Sequence, residues 1–330
     1  TGQATTPRVY SYDSLSQIVV KAFNKSNPIT IVGLNVEWVG SGTGEQDAII
    51  VERDSVTLNN PSVINNDNSK PVKRAIALAY CADTIINRPI INNINYDGTG
   101  YGIIATGTIG VVVNDPQIDN CRHAFSGAYN VDVTVNRGTT GVIDDHWGAR
   151  MVIDGTKIKS VNGNSECAVL YAGSDINIKN VTHVGGTTLL GIRTDPATLT
   201  GRVVIDNVTI NATSTAVGYY YIFGMSSIAA INATSDVMTV DPSLPDYVNI
   251  SNVGITANSG KFVSVYRLPI INLTYKDIGE LFARDIKSNV ALAGVLVYNS
   301  GFAKKTTSKI TLENIDFVGG GIYNHTGSKT

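Results

Sequence analysis

The 330-residue sequence has little charge, few aromatics and almost no sulfur: Asp, Glu, Lys and Arg make up 16%, Phe, Trp and Tyr 7%, with three cysteines. Its net charge is −2, so no basic surface for nucleic acid or anionic lipid is expected. Cys81, Cys121 and Cys167 are odd in number, widely spaced and outside any zinc-ligand spacing, which argues against a disulfide framework. Each reads as a small buried hydrophobe. No unbroken apolar run reaches the roughly 18 residues of a membrane span, and Thr1-Gly2-Gln3 opens no signal-peptide pattern, so a soluble chain without membrane insertion is expected. A Gly-rich phosphate loop, a metal-spaced set of His and Cys and a Ser-His-Asp arrangement are also missing, so the expectation is no cofactor and no metal.

What the chain does have is 43% hydrophobic residues and 32 glycines among many Val, Ile, Asn and Thr, which favours strands and turns over a helical bundle. Short segments recur with an apolar-x-apolar core followed by a polar residue or Asn. They are "VTLNNPSV" (Val56 to Val63), "TIINRPII" (Thr84 to Ile91), "VVVNDPQI" (Val111 to Ile118), "VTVNRGTT" (Val133 to Thr140), "MVIDGTKI" (Met151 to Ile158), "INIKNVTH" (Ile176 to His183), "VVIDNVTI" (Val203 to Ile210), "VNISNVGI" (Val248 to Ile255), "INLTYKDI" (Ile271 to Ile278) and "ITLENIDF" (Ile310 to Phe317). Their third residues, Leu58, Ile86, Val113, Val135, Ile153, Ile178, Ile205, Ile250, Leu273 and Leu312, are 28, 27, 22, 18, 25, 27, 45, 23 and 39 apart.

Strand alternation turns the first and third residue of each copy inward, and the Asn or Asp that follows suits a left-handed turn position. A single coil is too thin to bury its apolar face, so neighbouring coils must stack at about 4.8 Å. The fold expected is therefore all-β, a single-stranded parallel β-helix, or solenoid. "YDSLSQIVVKAFNKSN" (Tyr12 to Asn27) sets Leu15, Ile18, Val19 and Phe23 on one helical face and predicts a short N-terminal capping helix over the open end of the sheets. The organisation expected is an N-terminal arm and capping helix over 1–28 and the parallel β-helix over 29–330, with longer insertions around 211–247 and 279–308.

A helical cap followed by Asn-punctuated coils resembles the right-handed parallel β-helix of the pectate-lyase and polygalacturonase superfamily, and within it bacteriophage tailspikes and capsule depolymerases. The resemblance covers roughly Tyr12 to Phe317 and is one of pattern. It implies a right-handed coil and a homotrimer on the virion tail that acts extracellularly on bacterial surface polysaccharide, either capsule or O-antigen. No cap is visible after "VGGGIYNHTGSKT", so another subunit, another domain or a further C-terminal segment is expected to cover that end, the first in keeping with the trimer. Polygalacturonase chemistry is not carried over, because Asp144-Asp145 would match an acidic pair but no Gly-His-Gly or Arg-x-Lys accompanies it.

"VIDDHWGAR" (Val142 to Arg150) holds the densest set of functional groups. Counting from the repeat places His123 beside Asp145, Arg122 beside Asp144 and Phe125 beside Trp147 on neighbouring coils. If the aromatics point inward, Arg122, Asp144 and His146 face solvent together; this is the favoured arrangement. The catalytic candidates are Asp144, Asp145, His146, Glu166 and His123, and the substrate-binding candidates are Arg122, Trp147, Arg150, Arg193, Tyr219 and Tyr221. Hydrolysis needs an acid and a carboxylate across the glycosidic bond, whereas elimination from a uronate needs a base and a group that neutralises the sugar carboxylate. The sequence leaves both open. It also leaves open a tight turn at Asp144-Asp145, a non-catalytic carbohydrate-binding adhesin, and a secreted pectinase-like lyase or hydrolase. "NVEWVGSGTGEQD" (Asn35 to Asp47) reads as a surface turn.

Overall fold

The computed structural model describes residues 8–11, 18–21, 27–38, 47–66, 72–94, 100–160, 167–186, 188–192, 201–212, 219–225, 247–257, 262–267, 280–288, 295–299, 309–317 and 322–326. These residues form 29 strands and no helix. The strands group into two compact units, the first Thr1–Asp145 with Ala149–Lys157 and the second His146–Gly148 with Ile158–Thr330.

The first unit is a parallel β-solenoid whose full coils contribute one strand to each of three sheets. In one sheet Ile18–Lys21, Asp47–Glu52, Arg74–Ala79, Tyr101–Thr106 and His123–Ala128 pair in that order, all parallel. The second runs from Ile29–Val32 through Val56–Asn59, Ala82–Asn87, Ile109–Asn114 and Val131–Asn136 to the strand Ile143–Asp154. The third links Arg8–Ser11, Asn35–Trp38, Ser62–Asn65, Ile90–Ile94, Gln117–Cys121 and Thr139–Thr140. The repeat ruler is the register of the second sheet: Leu58 pairs with Ile86, Ile86 with Val113, Val113 with Val135 and Val135 with Ile153. All five are buried, as alternation requires.

The residue after each ruler position has a different task from the one expected. Asn59, Asn87, Asn114 and Asn136 remain in the strands and form an amide ladder, in which the Nδ2 of Asn87, Asn114 and Asn136 donates to the Oδ1 one coil before at 2.7, 2.8 and 3.0 Å. The left-handed turn position is one residue later, at Asn60, Arg88, Asp115 and Arg137. Stacked amides satisfy one another only while still in register, so the turn is displaced past them.

The second unit repeats the scheme with fewer corners. Val203 pairs with Val248, Ile205 with Ile250 and Ile210 with Ile255 along the long strands Arg202–Ala212 and Tyr247–Ala257. A single left-handed residue, Asn207 or Asn252, bends each strand at its middle. Here the repeat pattern misplaced a coil. Ile250 pairs with Ala283 and Ala283 with Leu312, so Glu280–Ser288 carries the register, while "INLTYKDI" lies outside the described residues. The coil escaped notice because Ala283 occupies a position held elsewhere by Val, Ile or Leu. Tyr219–Met225, Glu280–Ser288 and Val295–Asn299 are ordinary coil strands within the spans expected as insertions.

The N-terminal helix is also corrected at its centre. Ile18–Lys21 is a strand, with Ile18 beside Ile49 and Val20 beside Val51. Leu15 and Phe23 lie outside the described residues. Apolar positions in Ile18-Val19-Val20 satisfy helical and strand periods alike, and β-branched side chains beside an open parallel edge favour the strand.

Candidate functional site

Four successive strands of the first unit's first sheet begin with a polar residue. Asp47 pairs with Arg74, Arg74 with Tyr101 and Tyr101 with His123, an unbroken in-register column. The next positions, Ala48, Ala75, Gly102 and Ala124, are small and buried, and the ones after them, Ile49, Ile76, Ile103 and Phe125, are fully apolar and buried. Two successive buried positions mark a corner, and space there is short: a Cβ on Gly102 would lie 2.6 Å from the Ala124 carbonyl oxygen and 2.8 Å from Ile118 Cγ2. The polar column therefore stands at the edge of the core, with Arg74 and Tyr101 half-buried and Asp47 and His123 buried.

Neighbours along the column interact. Arg74 Nε pairs with Asp47 Oδ1. The rings of Tyr101 and His123 lie 5.7 Å apart and tilted by 58°. Exposed Arg122 donates from Nη1 to the Tyr101 hydroxyl at 3.3 Å. At the end of the column His123 Nδ1 is 3.2 Å from Asp144 Oδ2, with side-chain exposures of 5% and 3%. The separation is within ion-pair distance, without hydrogen-bond alignment at Nδ1.

From Ile143 on, "VIDDHWGAR" is strand, part of Ile143–Asp154, and the tight-turn alternative at Asp144-Asp145 is set aside. The short coil is accommodated instead by its third strand, Thr139–Thr140, only two residues long. The expected stacking is corrected: His123 meets Asp144 rather than Asp145, Arg122 turns to Tyr101, and Asp144 is buried rather than facing solvent with Arg122 and His146. Ala124 N donates to Val142 O at 2.7 Å, a pairing that a constant count from the ruler does not reproduce, because the 18-residue coil is shortened between the second sheet and the next strand of the first.

Asp145, also buried, belongs to an internal network. Asn130 Nδ2 donates to Asp145 Oδ1 at 3.0 Å and to the Ala105 carbonyl at 3.1 Å, while Asn130 Oδ1 accepts from Thr108 Oγ1 at 2.8 Å and Thr108 N at 3.1 Å. Gly127 leaves the room, since a Cβ there would sit 2.2 Å from Asp145 Oδ1. His146 and Trp147 are half-buried with rings 5.3 Å apart, and Trp147 takes a left-handed φ of 56°. Arg150 is exposed and donates to Asp132 at 3.1 Å.

Glu166 and Arg193 lie outside the described residues. Tyr219 and Tyr221 are in the strand Tyr219–Met225, paired with Phe262 and Ser264, in the second unit. Among the described residues, no group of three or more His, Cys, Asp and Glu is arranged to hold a metal. Arg74, Tyr101 and Asp47 were not recognised as site residues from the sequence, although the column Asp47, Arg74, Tyr101, His123 advances by 27, 27 and 22, nearly the ruler's own steps.

The second unit holds another buried polar pair. Ser160 Oγ is 2.6 Å from His183 Nε2 and accepts from Gly186 N at 2.8 Å. Burial pushes the His183 pKa down to about 3, so the ring is neutral. Both side chains are buried, a satisfied internal pair rather than a surface site.

No protein-family model matches the sequence, and no curated protein matches it.

Proposed function

We propose that the chain is a tailspike-like depolymerase that binds and cleaves bacterial surface polysaccharide, capsule or O-antigen, as a homotrimer on a virion tail. The observation that carries this reading is the in-register column from Asp47 through Arg74 and Tyr101 to His123, with Asp144 behind it. A parallel solenoid presents equivalent positions about 4.8 Å apart, close to the length of one sugar unit, so a linear glycan can lie along the coils and meet one polar group per step. Of the residues expected to act, His123 and Asp144 stay in the reacting set, with Tyr101 and Arg122 beside them. Asp145 passes to the scaffold, held by Asn130.

β-Elimination fits this set better than glycosidic hydrolysis, which needs two carboxyl groups across the scissile bond where the set keeps Asp144. Elimination needs a proton acceptor, which His123 or Tyr101 supplies, and a cation over the sugar carboxylate, which Arg122 supplies. The second reading, a binder without cleavage, is favoured by one observation: Asp144 and Asp145 are both buried.

The deciding experiment digests a panel of capsular and O-antigen polysaccharides and reads chain length by size exclusion, for wild type, Tyr101→Phe and His123→Gln. Shortening of one polymer by wild type, with a loss of at least about 100-fold in His123→Gln, supports the depolymerase. A polymer retained but never shortened leaves the binder, and a panel neither bound nor cut overturns both. Release of product absorbing near 235 nm assigns elimination.

A further inference from the structure

We infer that copies of this chain pack side by side, parallel and in register, through the outer face of the first unit's second sheet and the two corners that border it; this rests on the homotrimer of the proposed function and names its contact surface. A motif recurs there on alternate coils. Tyr80 to Arg88 reads "YCADTIINR" and Tyr129 to Arg137 reads "YNVDVTVNR", both Y-x-x-D-x-x-x-N-R, while Gly107 to Asp115 on the coil between reads "GTIGVVVND". The Tyr, Asp and Arg of both copies are exposed, Tyr80 by 77% and Tyr129 by 61%. All six take a left-handed φ of 50° to 59°, uncommon for residues other than Gly, Asn and Asp. The glycines between give the first copy room: a Cβ on Gly107 would lie 2.8 Å from Tyr80 Cδ1, so the Tyr80 side chain lies down along the coils.

Tyr and Asp stand at the corner between the first and second sheets, and Arg at the corner between the second and third, five residues or roughly 17 Å across the face. Between the corners, outward Ile85 and Val112 and the asparagine ladder carry no charge. Copies related by rotation about an axis parallel to the coils keep each coil at one height, so the first corner of one copy meets the second corner of the next, coil for coil. Asp83 then faces Arg88, Gly110 faces Asp115, Asp132 faces Arg137 and Arg150 faces Gly155. Opposite charges meet on two coils and like charges on none. A slip of one coil sets Asp83 or Asp132 against Asp115, so the same charges fix the register. Among the described residues neither Asp83 nor Arg88 is in an ion pair within its own chain. The polar column from Asp47 to His123 begins the strands of the first sheet, at the third corner, and this packing leaves it facing outward.

Sedimentation equilibrium at low ionic strength and oxidative cross-linking of the full chain test this. Wild type is expected to be a trimer. Asp83→Lys and Arg88→Glu are each expected to weaken assembly by at least about tenfold, and the two combined in one chain to restore it. Asp83→Cys combined with Arg88→Cys is expected to give disulfide-linked trimers, because the two positions are too far apart to join within one chain; either single variant is expected to give none. A linked dimer from Asp83→Cys alone, or trimers unaffected by both charge reversals, overturns the contact surface and leaves the trimer standing. A monomeric wild type overturns both. Rings of another size, linked through the double cysteine variant, keep the surface and overturn the trimer. If Tyr129→Ala assembles like wild type yet loses a polysaccharide that wild type retains, the corner belongs to glycan and the inference fails.

Discussion

Asp144 and Asp145 are adjacent and chemically identical, yet they have different neighbours. Asp144 faces an imidazole at 3.2 Å, and Asp145 is fastened by an asparagine that also ties down Thr108 and Ala105. Asp145→Ala is therefore expected to cost about 2–4 kcal/mol, because Asn130 loses an acceptor inside a closed network. Chemical denaturation checks this; an unchanged midpoint would remove Asp145 from the scaffold. A different pH behaviour is expected of His183. Its folded pKa, pushed down to about 3, lies below the 6.5 of the free side chain, so the unfolded chain takes up a proton that the folded chain refuses. The contribution is complete above pH 6.5 and is lost progressively as pH falls toward 3, on the order of a few kcal/mol in total. Melting temperature followed from pH 7 to pH 4 is expected to drop in wild type and to drop less in His183→Gln.

The corner of small residues is an element-scale device. Ala48, Ala75, Gly102 and Ala124 let the first sheet turn inward without overfilling the core, and the rim residues depend on that turn for their partial burial. Gly102→Val is expected to destabilise by about 1–3 kcal/mol and to displace Tyr101, its chain neighbour. Urea denaturation reads the first effect and NMR of labelled tyrosine rings the second; wild-type stability would refute the close contact. The asparagine ladder is the second device. Asn87 both donates to Asn59 and accepts from Asn114, so Asn87→Ala removes two bonds and is expected to cost about 1–3 kcal/mol, more than the same change at the end residue Asn136, for which Asn114 is the one laddered amide partner.

At the scale of the molecule, parallel coils leave open sheet edges, and a second subunit is one way to cover them. The homotrimer is expected to sediment at three times the 35.0 kDa chain mass, and a stable monomer at micromolar concentration would overturn it. The coil architecture was legible in the sequence because every coil must turn the same apolar positions inward: Leu58, Ile86, Val113, Val135 and Ile153 are one column in the text and one column in space. The polar column from Asp47 to His123 was equally periodic, but no apolar pattern marked it, and a surface turn explained Asp47 just as well. Ile18–Lys21 was read as helix because a short β-branched run satisfies both periods, and only the neighbouring strand edge chooses between them. By itself the sequence determined which residues repeat, and so the coil. Which carboxylate meets His123 was decided only in the tertiary structure, because it depends on a coil shortened by a few residues. A one-residue change of register exchanges every neighbour across the sheet while leaving the repeat itself unchanged.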